Sequence, residues 1–324
     1  NGWTRPPYDG VVEGDDMYGV GALDMKSGCA AVMLAVEKFA GRHLQDGSFC
    51  GKLIYHLVSD EEGPYGLGTV FIINDKIHNV AEEADFAIIA EPSAGFARVP
   101  HPCVCLGARG GYNYTIKVYG KSAHAATPEL GINAMVDASL IVAGLEKIPP
   151  VTDEKLGSSS PCVISMNGGG AACSVPDYAE VEIFHHTVRG ETQQTIRERV
   201  DKAIRAANVR SKIEVVFRQS PAEGFDGGFD AYCIDEDGKY LKILEATIEK
   251  VCRKPVNTAY FQSIGDFNHI GGKLGIPTVL FGADGDNFHS SDERVDLDSG
   301  LEVALSINQF ISEVLCDQEG KNER

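Results

Sequence analysis

Lys52-Leu53-Ile54-Tyr55-His56-Leu57-Val58-Ser59 is an apolar run with strand character, and it closes on Asp60-Glu61-Glu62-Gly63. An apolar strand ending in three consecutive acids is electrostatically unfavourable unless positive charge sits beside it. A metal cluster is the usual remedy. Two further acids occupy similar settings. Asp24 lies in Tyr18-Gly19-Val20-Gly21-Ala22-Leu23-Asp24-Met25-Lys26-Ser27-Gly28, just ahead of a helical pattern, and Glu91 follows the strand-like Phe86-Ala87-Ile88-Ile89-Ala90. His289 comes after another buried-strand pattern, Pro277-Thr278-Val279-Leu280-Phe281-Gly282. Four carboxylates and a histidine at strand ends form the donor set that a pair of divalent cations needs, with one base for water.

Outward from these runs, residues 24–41 carry helical periodicity in Met25, Ala30, Ala31, Met33, Leu34, Val36 and Phe39. Residues 67–79 read as a second helix and 86–90 as a strand. Strands that are apolar throughout and alternate with helices indicate a parallel or mixed sheet covered on both faces. The pattern changes near Gly107. Tyr112–Tyr119 alternates as a half-exposed strand does, a helix is expected at 131–147, strands at 161–167 and 178–187, a charged helix at 191–207 and a strand at Lys212–Phe217. This β-α-β-β-α-β order is ferredoxin-like. An α/β pattern then resumes, with a helix at 236–252, a strand at 277–282 and a last helix at 296–315. The expected fold is α/β: a catalytic domain from 1–107 and 219–324, its mixed sheet flanked by helices, with 108–218 inserted as a second domain.

Composition narrows the function. A chain of 324 residues favours two domains. A net charge of −18 speaks against nucleic-acid or anionic-membrane partners, which require basic patches. Nine cysteines without a Cys-x-x-Cys pair read as reduced thiols, and no run of about 18 apolar residues predicts a membrane span. The expected location is cytoplasmic.

Five segments in order resemble the signatures of one family: Gly19–Gly28, Ser59–Gly63, Ala90-Glu91-Pro92-Ser93, Gly120-Lys121-Ser122-Ala123-His124-Ala125-Ala126-Thr127-Pro128 and Asn287-Phe288-His289-Ser290-Ser291-Asp292-Glu293. It is the co-catalytic zinc family of acetylornithine deacetylases, succinyl-diaminopimelate desuccinylases, aminoacylases and glutamate carboxypeptidases. The resemblance implies two divalent metal ions, zinc first, with cobalt or manganese as substitutes. It implies that Asp24 bridges them, that Glu62 and His289 complete one site, and that Glu91 binds the other metal. Glu61 becomes the general base, and the inserted domain a lid and homodimer surface. His124 is then expected to reach the partner subunit's site and stabilise an oxyanion. Asn133 at the start of the lid helix and Gly169 in the Gly168-Gly169-Gly170 turn become substrate contacts.

Two departures stand out. The family's opening His-x-Asp motif would supply the remaining ligand of the Glu91 metal, yet no histidine precedes His43. Trp3-Thr4-Arg5-Pro6-Pro7-Tyr8-Asp9 resembles the stretch that follows that motif, so the N-terminal part of the domain is expected upstream of Asn1 and one metal site is expected to be incomplete. Where the family places an arginine for the substrate carboxylate, the sequence reads Phe184-His185-His186-Thr187-Val188-Arg189, leaving His186 or Arg189 for that role, with Arg109 and then Arg98 as further anion contacts. The expected activity is hydrolysis of an N-acyl amino acid or small peptide. The alternatives are a dimeric relic without catalysis and a one-metal hydrolase built on Asp24, Glu62 and His289.

Overall fold

Cys103–Ala108 is buried at every residue, as a strand covered on both faces must be. The computed structural model, which describes residues 2–45, 47–63, 65–74 and 84–316, places it inside a mixed sheet. It pairs parallel with Asn257–Phe261 and antiparallel with Tyr232–Cys233, and meets Thr278–Leu280, which runs parallel to Ala87–Ile89. Neither Cys103–Ala108 nor Asn257–Phe261 stands out by periodicity, because each is short and lacks alternation. Helices Ser27–His43, Lys239–Cys252 and Leu297–Cys316 cover this sheet. Leu241, Leu244 and Ile248 recur at helical spacing and pack in one core with Val303, Ile307 and Phe310.

Lys52–Ser59 departs from the expected strand. Among the described residues this run belongs to no β-ladder. A strand exists only through pairing, and Lys52–Val58 and Ala87–Ile89 both line one cavity. The helix expected over 67–79 is described as Leu67–Asn74, and its remainder lies outside the described residues.

The middle of the chain folds as its alternation dictates. Gly110–Tyr119, Ala134–Leu145, Ser160–Gly168, Tyr178–Thr187, Gln193–Ala207 and Lys212–Phe217 follow one another as β-α-β-β-α-β. The sheet order is Lys212–Phe217, Gly110–Tyr119, Tyr178–Thr187, Ser160–Gly168, with every neighbour antiparallel. Ala179, Val181 and Ile183 point to one face and pack beneath both helices. Asn133 caps the first helix by accepting from the Met135 and Val136 N–H groups, and a Thr192–Thr195 capping box starts the second.

A third, small sheet joins the chain's two ends: Val11–Glu13, Asp16–Tyr18, Arg294–Asp296 and Gly285–Asp286, all antiparallel. It holds the Gly19–Lys26 loop against the Asn287–Glu293 hairpin tip. Among the described residues, no helix is long and apolar enough to cross a membrane.

Candidate active site

Asp24 sits in an irregular turn ahead of helix Ser27–His43, with backbone angles outside the helical range, and its side chain caps no helix. Two contacts fix this turn. Gly28 lets the helix start directly against the strand end that carries Glu91, since a Cβ at Gly28 would lie 2.0 Å from the Ala90 carbonyl oxygen. Glu293, buried at 4% exposure, accepts from three backbone N–H groups: Gly21 at 2.7 Å, Leu23 at 2.9 Å and Asp24 at 2.9 Å. Such donors bind a carboxylate strongly and leave its chain little freedom. Glu293 therefore ties the His289 hairpin to the Asp24 loop, across more than 260 residues of sequence.

The expected ligands converge. His289 Nε2 lies 3.0 Å from Asp24 Oδ2 and 3.2 Å from Glu62 Oε2. The donor atoms of Asp24, Glu62 and His289 all fall within 4.8 Å of one another, and those of Glu61, Glu91 and Asp266 form a second group of the same compactness. Asp266 is the one member with no sequence signal assigned above. It follows the end of Asn257–Phe261, so recognising that strand would have flagged it by the same acid-at-a-strand-end rule. Its N–H donates to Glu61 Oε1 at 3.2 Å, and its Oδ2 accepts from Thr69 Oγ1 at 2.5 Å.

Crowding shows in the acidities. Burial, then repulsion from Asp266, pushes the Glu61 carboxyl up to about 7. Burial and then Glu62 raise Asp24, while burial and then Asp24 raise Glu91 well above the usual carboxylate range. Asp266 is raised by burial. Five carboxylates around one imidazole are a poor arrangement by themselves, and divalent cations among them offset the repulsion. The oxygen and imidazole donors suit zinc, cobalt or manganese. Asp24, Glu62 and His289 would hold one cation and Glu91, beside Glu61 and Asp266, a second.

The expected substrate contacts lie elsewhere. None of His124, Asn133, Gly169, His186 and Arg189 lines the cavity that holds the carboxylates. Asn133 spends its side-chain oxygen on the helix cap. Arg189 is engaged by Asp153 at 2.7 Å, and Arg109 donates to the Leu156 carbonyl at 2.8 Å. Burial, then Arg109, lowers His186. Gly169 adopts φ +139°, with nothing near the position of a Cβ. His124 is exposed, and its Nδ1 accepts from the Ala126 N–H at 3.1 Å.

Comparison with known proteins gives the family. The model of "Peptidase family M20/M25/M40" matches residues 1–313. The chain belongs to the M20 peptidase family. One relative is the succinyl-diaminopimelate desuccinylase of Sulfurimonas denitrificans, 28% identical over 301 residues, 92% of this chain and 76% of that protein. Among solved structures, an M20 metallo-carboxypeptidase from Sulfolobus solfataricus matches with TM-score 0.70 at 18% identity, over 95% of this chain and 80% of that one. A dinuclear metal-binding M20 peptidase from Bacillus subtilis matches with TM-score 0.66 at 15% identity, over 90% and 72% of the two chains. At these identities the structures establish the M20 fold alone. The family and the desuccinylase relative make the chain a hydrolase of the type that cleaves amide bonds.

Proposed function

We propose that this chain is a metal-dependent amidohydrolase that cleaves an N-acyl amino acid or a small peptide into a carboxylate and an amine. The observation that carries the reading is the convergence of Asp24, Glu62 and His289 beside Glu61, Glu91 and Asp266. Bound divalent cations, zinc first, would supply Lewis acidity toward water and the amide carbonyl. Glu61 takes the proton of the attacking water and returns it to the leaving nitrogen. Burial raises the Glu61 carboxyl, the direction that suits a group working as base and then as acid. Asp266 orients Glu61 through its backbone N–H.

Residues 108–218 serve as a ferredoxin-like lid and as the homodimer surface. Val136 and Leu140 on its first helix and Val163 and Ile164 on its edge strand are exposed apolar residues that support an interface there. Across that interface His124 would stabilise the oxyanion in the partner's site. His186 and Arg189 remain candidates for the substrate carboxylate. The cytoplasm is the proposed location.

A one-metal hydrolase is the second reading. The donor chemistry favours it, because of the two groups that line the cavity the Asp24 group includes an imidazole, whereas the Glu61–Glu91–Asp266 group is all oxygen.

The test is hydrolysis of N-succinyl and N-acetyl amino acids and of dipeptides by wild type, Glu61→Gln and His124→Ala, with metal content measured alongside. Both variants should retain metal and lose turnover, and a mixed dimer of the two should recover part of it. Unchanged turnover in Glu61→Gln at unchanged metal content removes Glu61 from the base role.

A further inference from the structure

His101, Cys252 and Glu302 meet outside the site described above, and none of them lines the cavity of the carboxylates. They come from three elements. His101 stands just ahead of strand Cys103–Ala108, Cys252 ends helix Lys239–Cys252, and Glu302 lies within helix Leu297–Cys316. One donor atom of each falls within 4.8 Å of the others. His101 Nε2 is 3.1 Å from Glu302 Oε2, and the ring lies nearly parallel to that of Phe281. The His101 side chain is 6% exposed, and its Nδ1 has no hydrogen-bond partner among the described residues. Cys252 is buried, with the fully buried Ser306 beside it. The Glu302 side chain, at 29% exposure, gives the cluster its opening to solvent.

A histidine–carboxylate hydrogen bond explains the 3.1 Å spacing but asks for no thiol. A tetrahedral zinc ion explains all three donors. Ligands held at roughly 2.0–2.2 Å around such an ion stand roughly 3.3–3.6 Å apart, close to the spacing seen. Imidazole nitrogen, thiolate sulfur and carboxylate oxygen are all zinc ligands, whereas calcium and magnesium take oxygen. The charges also close: a thiolate and a carboxylate offset a dication, and a neutral centre tolerates burial. Helix Lys239–Cys252 ends at the thiol, and the carbonyl end of a helix favours a cation. Asp284 adds negative charge nearby, and Lys254 opposes it. Burial lowers His101, which keeps its imidazole neutral and able to coordinate.

We propose that His101, Cys252 and Glu302 form a further zinc site, separate from the carboxylate cluster, with water completing the tetrahedron on the Glu302 side. Binding makes bonds from zinc to nitrogen, sulfur and oxygen and breaks the S–H bond of Cys252, whose proton leaves to solvent. The ion clamps helices Lys239–Cys252 and Leu297–Cys316 to the start of strand Cys103–Ala108, a structural role. The site is independent of the hydrolase reading, and a chain whose carboxylate cluster is disabled keeps it.

The probe is cobalt(II), added to the metal-free full chain carrying Asp24→Asn, with zinc as competitor. Cobalt accepts the ligands of zinc, and when bound to thiolate it shows a near-ultraviolet charge-transfer absorption that oxygen and imidazole ligands do not give. The Asp24→Asn background keeps the outcome separate from whether the carboxylate cluster binds metal. The absorption should saturate at about one cobalt per chain with release of protons. Zinc should erase it and raise the unfolding temperature. Cys252→Ser should abolish both the absorption and the thermal gain. Glu302→Gln and His101→Ala should each weaken cobalt binding by at least about tenfold. If either buried variant fails to fold, Glu302→Gln, at a half-buried side chain, carries the comparison. Absence of the absorption in the parent chain overturns the proposal. So does absorption that survives Cys252→Ser, which assigns it to another thiol such as the exposed Cys50, Cys162 or Cys173. Cobalt affinity unchanged in Glu302→Gln overturns it as well, because the thiol then binds without the carboxylate.

Discussion

The four-stranded unit in the middle of the chain and the carboxylate cluster obey different rules. In the unit built on Gly110–Phe217, each strand finds its partner within the same stretch of chain, side chains alternate between faces, and two capped helices close over the inner face. In the cluster, donors come from residues 24, 61–62, 91, 266 and 289, and short loops hold them. Local pattern specifies the first region. The second exists only through distant contacts, such as Glu293 reaching back to Gly21, Leu23 and Asp24. Regular structure gives stability cheaply; a site that gathers like charges must be held by groups chosen for position, and those are the ones whose loss will be felt in function.

That contrast can be broken by substitution. Glu61→Gln should lower turnover by about 10²–10⁴-fold with metal content and unfolding temperature little changed, as measured by steady-state kinetics and metal analysis. Glu293→Ala strands three N–H donors, those of Gly21 and Leu23 buried, and frees the Asp24 loop. It should weaken metal affinity by about 10–100-fold, read by titration against a chelator, with Glu293→Gln intermediate because one oxygen acceptor remains.

The four-stranded unit should answer in stability and not in metal binding. His185 is buried at 2% exposure with neither ring nitrogen hydrogen-bonded, and burial, then Arg199, lowers it from 6.5 to about 4. The unfolded chain then binds a proton that the folded chain refuses. Stability is therefore full above pH 6.5, falls as pH drops toward 4, and loses up to about 3 kcal/mol over that window from this group. His185→Leu should flatten that part of the urea-midpoint profile. Arg189→Ala removes a half-exposed ion pair with Asp153 and should cost no more than about 1 kcal/mol. A large rise in KM without loss of stability would instead mark Arg189 as a substrate contact.

Much of both regions was legible before the structure, for different reasons. The four-stranded unit's elements could be placed because period-two alternation at Tyr112–Tyr119 and 178–187 and a polar-faced helix at 191–207 are local signals. Asp24, Glu61, Glu62, Glu91 and His289 were legible because acids and a histidine at apolar strand ends are out of place without a partner. Asp266 was missed because its strand, Asn257–Phe261, carries Asn and Thr at its start and no alternation. Glu293 lay inside a quoted motif, yet nothing local says that a carboxylate will meet three backbone N–H groups of another loop. Lys52–Ser59 misled in the opposite direction: its composition is that of a strand, but pairing is a property of neighbours, and among the described residues it has no ladder.

The most direct measurement is equilibrium dialysis of the chelator-treated chain against zinc at neutral pH, comparing wild type with Asp24→Asn and with Arg189→Ala. Asp24 touches both donor groups. Wild type and Arg189→Ala should each retain zinc, and Asp24→Asn should lose affinity by at least about tenfold while its circular dichroism stays unchanged. Equal zinc retention by Asp24→Asn and wild type would contradict the assignment of the carboxylate cluster as the metal centre.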